Sequence, residues 1–479
     1  MRKDMESIDL SVWLAGFERP FPDLYLVGGV VRDLLLGRQS KDVDMVCKDA
    51  STFVHLLAKG KDMAIVPMEK KPGEPCFRLV DKKDSTRFLD IAELRGESIL
   101  EDLQRRDFTI NAIAMPVLKN GQFGAMIDPT NGQGDIAGKI IRKVSNKGIE
   151  SDPLRILRAF RFAAQMDFTI DRSTQEAMKT RVALLGQVSS ERIMSELLLI
   201  LGKSTSAGFI RQMDEFGIFD VIFPEVIPAR GCTQNAYHHK DVWEHSQLVM
   251  ENCEYILNHL TEFFGDLSQA VAHNLGENTR VPLLKLSSLL HDVGKPATRA
   301  VNQTTGRITF YGHDEVGSVT IAGMAERLKM SNRDRNFMRL LVSQHLHVLS
   351  LSAPSVKPQT LLRWFRQLKD DAIPVIILGI ADIKGTLGTE ANEDTTAAHI
   401  TWSKQVVKHY YDVVQKQLER KDFILGKDLI VMGMKPGPEM GRILAHIREA
   451  QDIGEIVDRD AAISLASELI AENTLSHTT

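Results

Sequence analysis

The chain has 479 residues, 43% hydrophobic and 25% charged, with 59 basic against 63 acidic side chains and a net charge of −4. That length exceeds one ordinary core, so roughly two to four domains are expected, and the composition excludes a disordered or fibrous chain. The charge balance excludes an argument for nucleic acid from total charge, so an RNA partner needs local basic patches. Cys47, Cys76, Cys232 and Cys253 form no CxxC pair, which points to reduced thiols in a cytoplasmic protein rather than a disulfide framework or a cysteine zinc site. The N-terminal MRKDMESIDLSVW lacks the apolar core of a signal peptide, and the apolar run Pro374 to Ala381 is too short to span a bilayer, so no membrane partner is expected.

In chain order, an apolar strand, Leu24 to Val27, runs into Gly28 and Gly29. A short helix is expected over Arg32 to Leu36, stopped at Gly37. A second strand then carries Asp42 and Asp44, whose spacing of two puts both carboxylates on one face. Glycines let backbone N–H groups approach phosphates, and oxygen ligands on one face suit Mg²⁺. Two-metal phosphoryl chemistry places its ions about 3.5–4 Å apart, which calls for a further carboxylate. Asp90, in the strand-like RFLDIAE, is the best local candidate. Together these features imply a metal–triphosphate site; a DxD pair alone would more often be a solvated strand edge. MAIVPM, FRLV and GAMIDP continue a mixed α and β head to about residue 140. Arg105-Arg106-Asp107-Phe108-Thr109-Ile110-Asn111 follows Asp90 closely; its arginines suit phosphates, and a helix here would put Asp107 and Asn111 on one face, within reach of a ribose. From about 147 the pattern turns helical, through SDPLRILRAFRFAAQM and SSERIMSELLLILG, and strand signals almost vanish apart from RITFYG. In the tail, Pro436-Gly437-Pro438 opens an amphipathic helix.

The motifs GGVVRDLLLGRQSKDVD, RRDFTINAIA, IDPTNGQGDIAGKIIR, SDPLRILRAFRFA and SSERIMSELLLIL, in this order, resemble the class II bacterial tRNA nucleotidyltransferase and poly(A) polymerase family. The resemblance implies an α+β fold: a polymerase-β-like nucleotidyltransferase head with a short mixed sheet over 1–140, and an all-α neck and body for base reading and RNA binding over 141–225. It implies template-independent addition of C and C, with or without the terminal A, to the 3′ end of tRNA, with the acceptor arm, CTP and ATP as partners and Mg²⁺ at the head. Asp42 and Asp44 match the catalytic metal ligands, with Asp90 beside them. Gly28, Gly29 and Arg32 match the triphosphate loop; Arg106, Asp107 and Asn111 match residues that hold phosphate and sugar. Asp128 matches a structural or hinge aspartate. Asp152 and Arg155 match the base-reading pair, an acceptor beside a donor fork. Arg158 and Arg161 continue that spacing, toward phosphate or the base-reading pair, or in structural ion pairs. Two departures stand out. Ser151 occupies the position of the family's glutamate, with Glu150 one step earlier, and the segment IAELRGESILEDLQ is short where many members carry a longer loop linked to adding the terminal A. A short loop resembles the CC-adding subtype; a poly(A) polymerase is the other reading, against which the non-basic end AENTLSHTT speaks.

The second half holds His245 in DVWEHS, His291-Asp292 after an apolar helix, and Asp382 in ILGIADIKGT. This order matches the HD metal-dependent phosphohydrolase pattern, and implies an all-α HD domain over 226–420 with a helical tail over 421–479. Imidazole and carboxylate ligands suit Ni²⁺, Mn²⁺, Co²⁺ or Fe²⁺. His313 and His345 are candidates for a second metal or a phosphate contact, and Lys295 for neutralising phosphate charge. The substrate class implied is an RNA 2′,3′-cyclic phosphate or 2′-phosphate. The alternative is a packing and RNA-binding platform. Oligomeric state stays open, a homodimer through the HD half included. Two further classes remain as contrasts: a hydrolase whose head only binds nucleotide, and a non-catalytic RNA scaffold.

Overall fold

The computed structural model describes residues 10–14, 17, 22–40, 42–71, 74–276, 279–353, 355–386, 392–418, 420–452 and 454–476. The chain divides into two compact units, 1–227 with 327–330, and 228–326 with 331–479.

The first unit opens on a six-stranded sheet. Its strands are β1 (Leu24–Val27), β2 (Asp44–Cys47), β3 (Met63–Lys71), β4 (Glu74–Asp81), β5 (Asp84–Glu93) and β6 (Ala114–Val117), in the order β3-β4-β5-β2-β1-β6. Only β2 and β5 run parallel, with Asp44 opposite Asp90; the other pairings are antiparallel. Helix α1 (Gly29–Leu35) follows β1 and α2 (Ala50–Ala58) follows β2, burying Val30, Val31, Phe53 and Leu57. The helix after the glycines thus begins at Gly29, three residues before the expected Arg32, because Gly28 takes φ +77° and reverses the chain at once. The strand begins at Asp44, so Asp42 lies just ahead of it.

Helix α3 (Ile99–Gln104) is capped by Ser98, whose Oγ accepts from the Glu101 amide. The expected helix through RRDFTINA does not form: Arg105 ends α3 and only Thr109–Asn111 make a 3₁₀ turn. Asp128 accepts from the amides of Gly132 (2.7 Å) and Gln133 (2.9 Å) and so caps the helix Gly132–Ala137. Beyond it come α4 (Asn146–Ser151), α5 (Arg155–Met166) and α6 (Ser190–Leu201). Helix α5 is amphipathic, burying Ile156, Leu157, Phe160 and Ala163 while keeping its arginines along one side.

Among its described residues the second unit is helical apart from one small ribbon, Ala300–Val301 with Ile308–Thr309, which is all that RITFYG contributes to strand. Its helices include α7 (Val242–Asn258), α8 (Arg280–Leu290), α9 (His313–Arg327), α10 (Asn332–Leu351), α11 (Ala372–Gly385) and α12 (Glu393–His409). Helix α11 is buried on all sides from Ala372 to Asp382, which is why its sequence is continuously apolar. The tail helices α13 (Pro438–Asp452) and α14 (Arg459–Ser476), with Gly426–Val431, close their own apolar cluster around Leu429, Ile443, Ile447 and Ala462. No described helix is long and apolar enough to cross a membrane.

Candidate active site

The sheet's one parallel step creates the site. Pairing β2 with β5 sets Asp44 beside Asp90, and Asp42 lies two residues ahead in the same extended segment. Gly28, Gly29, Arg32, Asp42, Asp44, Asp90, Arg106, Asp107, Asn111, Asp152, Arg155, Arg158 and Arg161 all line one cleft of about 590 Å³. Arg192, which the sequence reading passed over, lines it too. Asp42, Asp44 and Asp90 offer the hard oxygen donors that Mg²⁺ prefers. Arg32, Arg106, Arg155, Arg158, Arg161 and Arg192 line the same cleft, the sign of charge a triphosphate requires.

Most of these arginines have definite partners. Arg32 Nη1 donates to Asn111 Oδ1 (2.9 Å), and Asn111 Nδ2 donates to Asp107 Oδ1 (3.1 Å). Asp107 Oδ2 accepts from Arg158 Nε (2.9 Å). Burial would raise the Asp107 carboxyl, but Arg158, Asn111 and Arg155 outweigh it and hold the group well below the ordinary carboxylate range. Arg106 pairs with Asp102 (2.8 Å), and Arg161 Nε with Glu196 Oε2 (2.6 Å). The guanidinium carbons of Arg32, Arg158 and Arg161 stand 5.3, 5.3 and 4.1 Å from the centre of the Phe162 ring. Arg158 and Arg161 thus form ion pairs and also line the cleft.

The expected base-reading pair is not joined. Arg155 is buried and its Nη1 and Nη2 donate to the backbone carbonyls of Arg106 (2.8 Å) and Arg105 (2.7 Å). Asp152 accepts instead from Arg192 Nη2 at 3.0 and 3.2 Å. Glu150, the acid one step from the family position, pairs with Arg181 (2.7 Å), while Ser151 Oγ donates to the Gly148 carbonyl. Phe162 and Arg192 line the cleft without having been singled out from sequence, and so do two partners of cleft residues: Glu196, on Arg161, and Arg78, which donates to Asp90. Arg192 and Glu196 sit one turn apart in SSERIMSE, a spacing that marks a shared helix face. Nothing local in the sequence marks Arg78.

Two family models match. "Poly A polymerase head domain" covers residues 24–142, the sheet and its cleft, and "Probable RNA and SrmB- binding site of polymerase A" covers 167–230. The chain is 30% identical over 444 residues to the A-adding tRNA nucleotidyltransferase of Deinococcus radiodurans, covering 91% of this chain and 93% of that one. It is 29% identical to the CC-adding tRNA nucleotidyltransferase of Thermus thermophilus, over 94% of this chain and 95% of that one. The chain belongs to the tRNA nucleotidyltransferase and poly(A) polymerase family. Its fold is similar to that of a CCA-adding enzyme solved in complex with ATP, with a TM-score of 0.66, 25% identity and coverage of 96% of this chain and 95% of that one. A Shewanella denitrificans relative, 29% identical over 85% of this chain and 94% of its own length, is named a multifunctional CCA protein.

The nucleotidyltransferase carries a second polar cluster, in its helical unit. His245 from α7, His291-Asp292 at the end of α8, His313 at the start of α9, His345 from α10 and Asp382 from α11 meet there, all buried. Nε2 of His245 lies 3.0 Å from Asp382 Oδ1, and Nε2 of His291 lies 3.2 Å from Asp292 Oδ2 and 3.5 Å from Asp382 Oδ1. His313 Nε2 is 3.3 Å from Asp292 Oδ1 and 3.2 Å from His345 Nε2. Nδ1 of His291, His313 and His345 each faces a backbone carbonyl, of Ser288, Phe310 and Val342, so each Nδ1 must carry the proton. The Nε2 atoms therefore converge on two carboxylates, a concentration of negative charge that calls for cations at its centre. One is present: Lys295 Nζ lies 2.7 Å from Asp292 Oδ2. Burial works to lower His291, but Asp292 and Asp382 raise it to about 10, while burial and the neighbouring His291 push His345 down to about 4. His238, not singled out from sequence, stacks edge-on against His245 with ring centres 4.6 Å apart.

Proposed function

We propose that this nucleotidyltransferase extends the 3′ end of tRNA without a template, drawing C and A from CTP and ATP. The carrying observation is that Asp42, Asp44 and Asp90 line one cleft together with the arginines, with Asp44 and Asp90 side by side in the sheet. Mg²⁺ held by these carboxylates would activate the tRNA 3′ hydroxyl and neutralise the triphosphate. The α1 loop, with Gly28 and Gly29, and Arg32 would seat the phosphates, and the hydroxyl would displace pyrophosphate from the α-phosphorus. Asp152 supplies an acceptor for the amine that cytosine and adenine share. Arg155 must leave the carbonyls of Arg105 and Arg106 to join it; the donor beside Asp152 in this structure is Arg192. The division into head (1–140), neck and body (141–225), HD domain (226–420) and tail (421–479) goes with this reading, as does a cytoplasmic setting for four free thiols.

The test is labelled CTP and ATP with tRNA ending at its discriminator base. Incorporation is expected. No incorporation removes the reading. The connection between β5 and α3 is residues 94–98, and the alternative of CC addition alone rests on its shortness. In that case the product stalls after two cytidines; efficient addition of the terminal A rejects the CC-only reading.

A second reading concerns the histidine cluster. We infer that it holds a transition metal and serves phosphoester hydrolysis, with RNA 2′,3′-cyclic phosphates or 2′-phosphates as the substrate class. Mass-spectrometric metal analysis of untagged protein, before and after reconstitution with Ni²⁺, Mn²⁺, Co²⁺ or Fe²⁺, is expected to show bound metal. The double change His291→Ala, Asp292→Ala is expected to remove it while CTP incorporation persists. Absence of metal after reconstitution would identify the cluster as packing.

A further inference from the structure

Asp90 has a cation of its own. In the antiparallel β4–β5 pairing Arg78 lies opposite Asp90, and in the parallel β2–β5 pairing Asp44 lies opposite Asp90, so one rung of the sheet reads Arg78, Asp90, Asp44. Arg78 Nε donates to Asp90 Oδ1 (2.8 Å) and Nη2 donates to Asp90 Oδ2 (2.9 Å), a two-pronged contact that engages both carboxylate oxygens. The guanidinium lies 3.9 Å from the centre of the Phe88 ring, on the strand face that Asp90 shares two residues on. The Asp90 side chain is 4% exposed and that of Arg78 34% exposed, so the pair is shielded on the acid's side and open on the base's. The field of Asp42 also reaches Arg78.

Two consequences follow for charge. Without a metal, three carboxylates would repel one another and any incoming triphosphate; Arg78 removes part of that repulsion. With a metal, a guanidinium and a divalent ion compete for the same oxygens of Asp90. Each Asp90 oxygen keeps a second lone pair beyond the fork, so the conflict is one of charge: a divalent ion on that lone pair stands against the guanidinium and weakens its hold. Phe88 gives the displaced guanidinium a surface to rest on.

Resting on the reading of this cleft as the nucleotidyl-transfer metal site, we propose that Arg78 is a positioning residue: it holds Asp90 as its counter-ion while the cleft lacks nucleotide and yields it as the metal–nucleotide enters. Free divalent ions then bind weakly, and metal arrives mainly with its triphosphate.

The test must see the head site separately from the histidine cluster. Fe²⁺ with ascorbate and peroxide cuts backbone beside the ion it replaces, and mass spectrometry locates the cuts. Cleavage near residues 42–44 and 90 should appear in the full-length protein without nucleotide, and added Mg²⁺ should suppress it. In Arg78→Met the Mg²⁺ concentration for half suppression should fall about fivefold, the scale of one partly exposed ion pair. Arg78→Lys, which keeps the charge but loses the fork, should show a smaller fall. In an Asp90→Asn background Arg78→Met should have no effect. Equal half-suppression in wild type and Arg78→Met overturns the proposal, as does an undiminished fall in the Asp90→Asn background. Loss of head cleavage in Asp42→Ala supports the metal site itself; its persistence overturns both readings together.

Discussion

Replacing Asp44 with asparagine should lower nucleotide incorporation roughly a thousandfold, because the change removes several kcal/mol of charge stabilisation from phosphoryl transfer. The fold should survive it. Asp44 sits at the first position of β2, half-buried, and asparagine keeps its shape while its backbone pairing with β5 is unchanged. Asp42→Ala should act in the same direction without touching a strand. Initial rates with labelled CTP on tRNA lacking its 3′ end measure the effect, and thermal unfolding checks the fold. A variant within tenfold of wild type would deny Asp44 a catalytic role.

Arg158→Met should destabilise the first unit by about 3 kcal/mol, the lower end of the cost of leaving a buried charge unpaired. Asp107 is the charge at stake: its side chain is 9% exposed and Arg158 is its ion-pair partner. The pH dependence gives the prediction its sign. The folded-state carboxyl lies well below its ordinary value, so its stabilisation is complete above the unfolded value of about 4 and fades as pH falls toward the folded one. In Arg158→Met the same carboxyl should rise, so the variant should be weakest near neutral pH and approach wild type below about pH 4, where a protonated Asp107 no longer needs a cation. Urea unfolding followed by circular dichroism across pH 3 to 7 would read this, and a constant difference over that range would assign the effect to lost packing of Arg158 on Phe162.

The strands and the acids were legible because strand alternation and glycine punctuation are local signals: LYLVGG, DVD and RFLDIAE give β1, β2 and β5 with little ambiguity. The RRDFTINA segment misled because residue spacing suits a helix, whereas Phe108 enters a bridge with Lys143 and Thr109 donates its amide to Arg142, contacts that no local pattern announces. The partners of the arginines were hidden for the same reason. Arg78 meets Asp90 through strand register, and Arg192 meets Asp152 across 40 residues of chain. Histidine positions along the second half were visible one by one, but the sequence did not show that His313 and His345 face each other at 3.2 Å.

The contacts of Arg32, Asn111, Asp107, Arg158 and Phe162 close into a circuit: Arg32 to Asn111, Asn111 to Asp107, Asp107 to Arg158, Arg158 onto Phe162, and Phe162 back under Arg32. Three members of this circuit, Arg32, Asp107 and Asn111, lie in the glycine-loop helix and the segment after α3, and two, Arg158 and Phe162, in helix α5. A closed circuit has no free end at which a change can be absorbed. Rotation of α5 would strain the Arg32 contact and a shift of the glycine loop would strain Arg158, so under the proposed function seating a triphosphate would be tied to the arginine wall of α5. Substitutions in this ring should accordingly arise in concert, with drift at one member matched by change in the others.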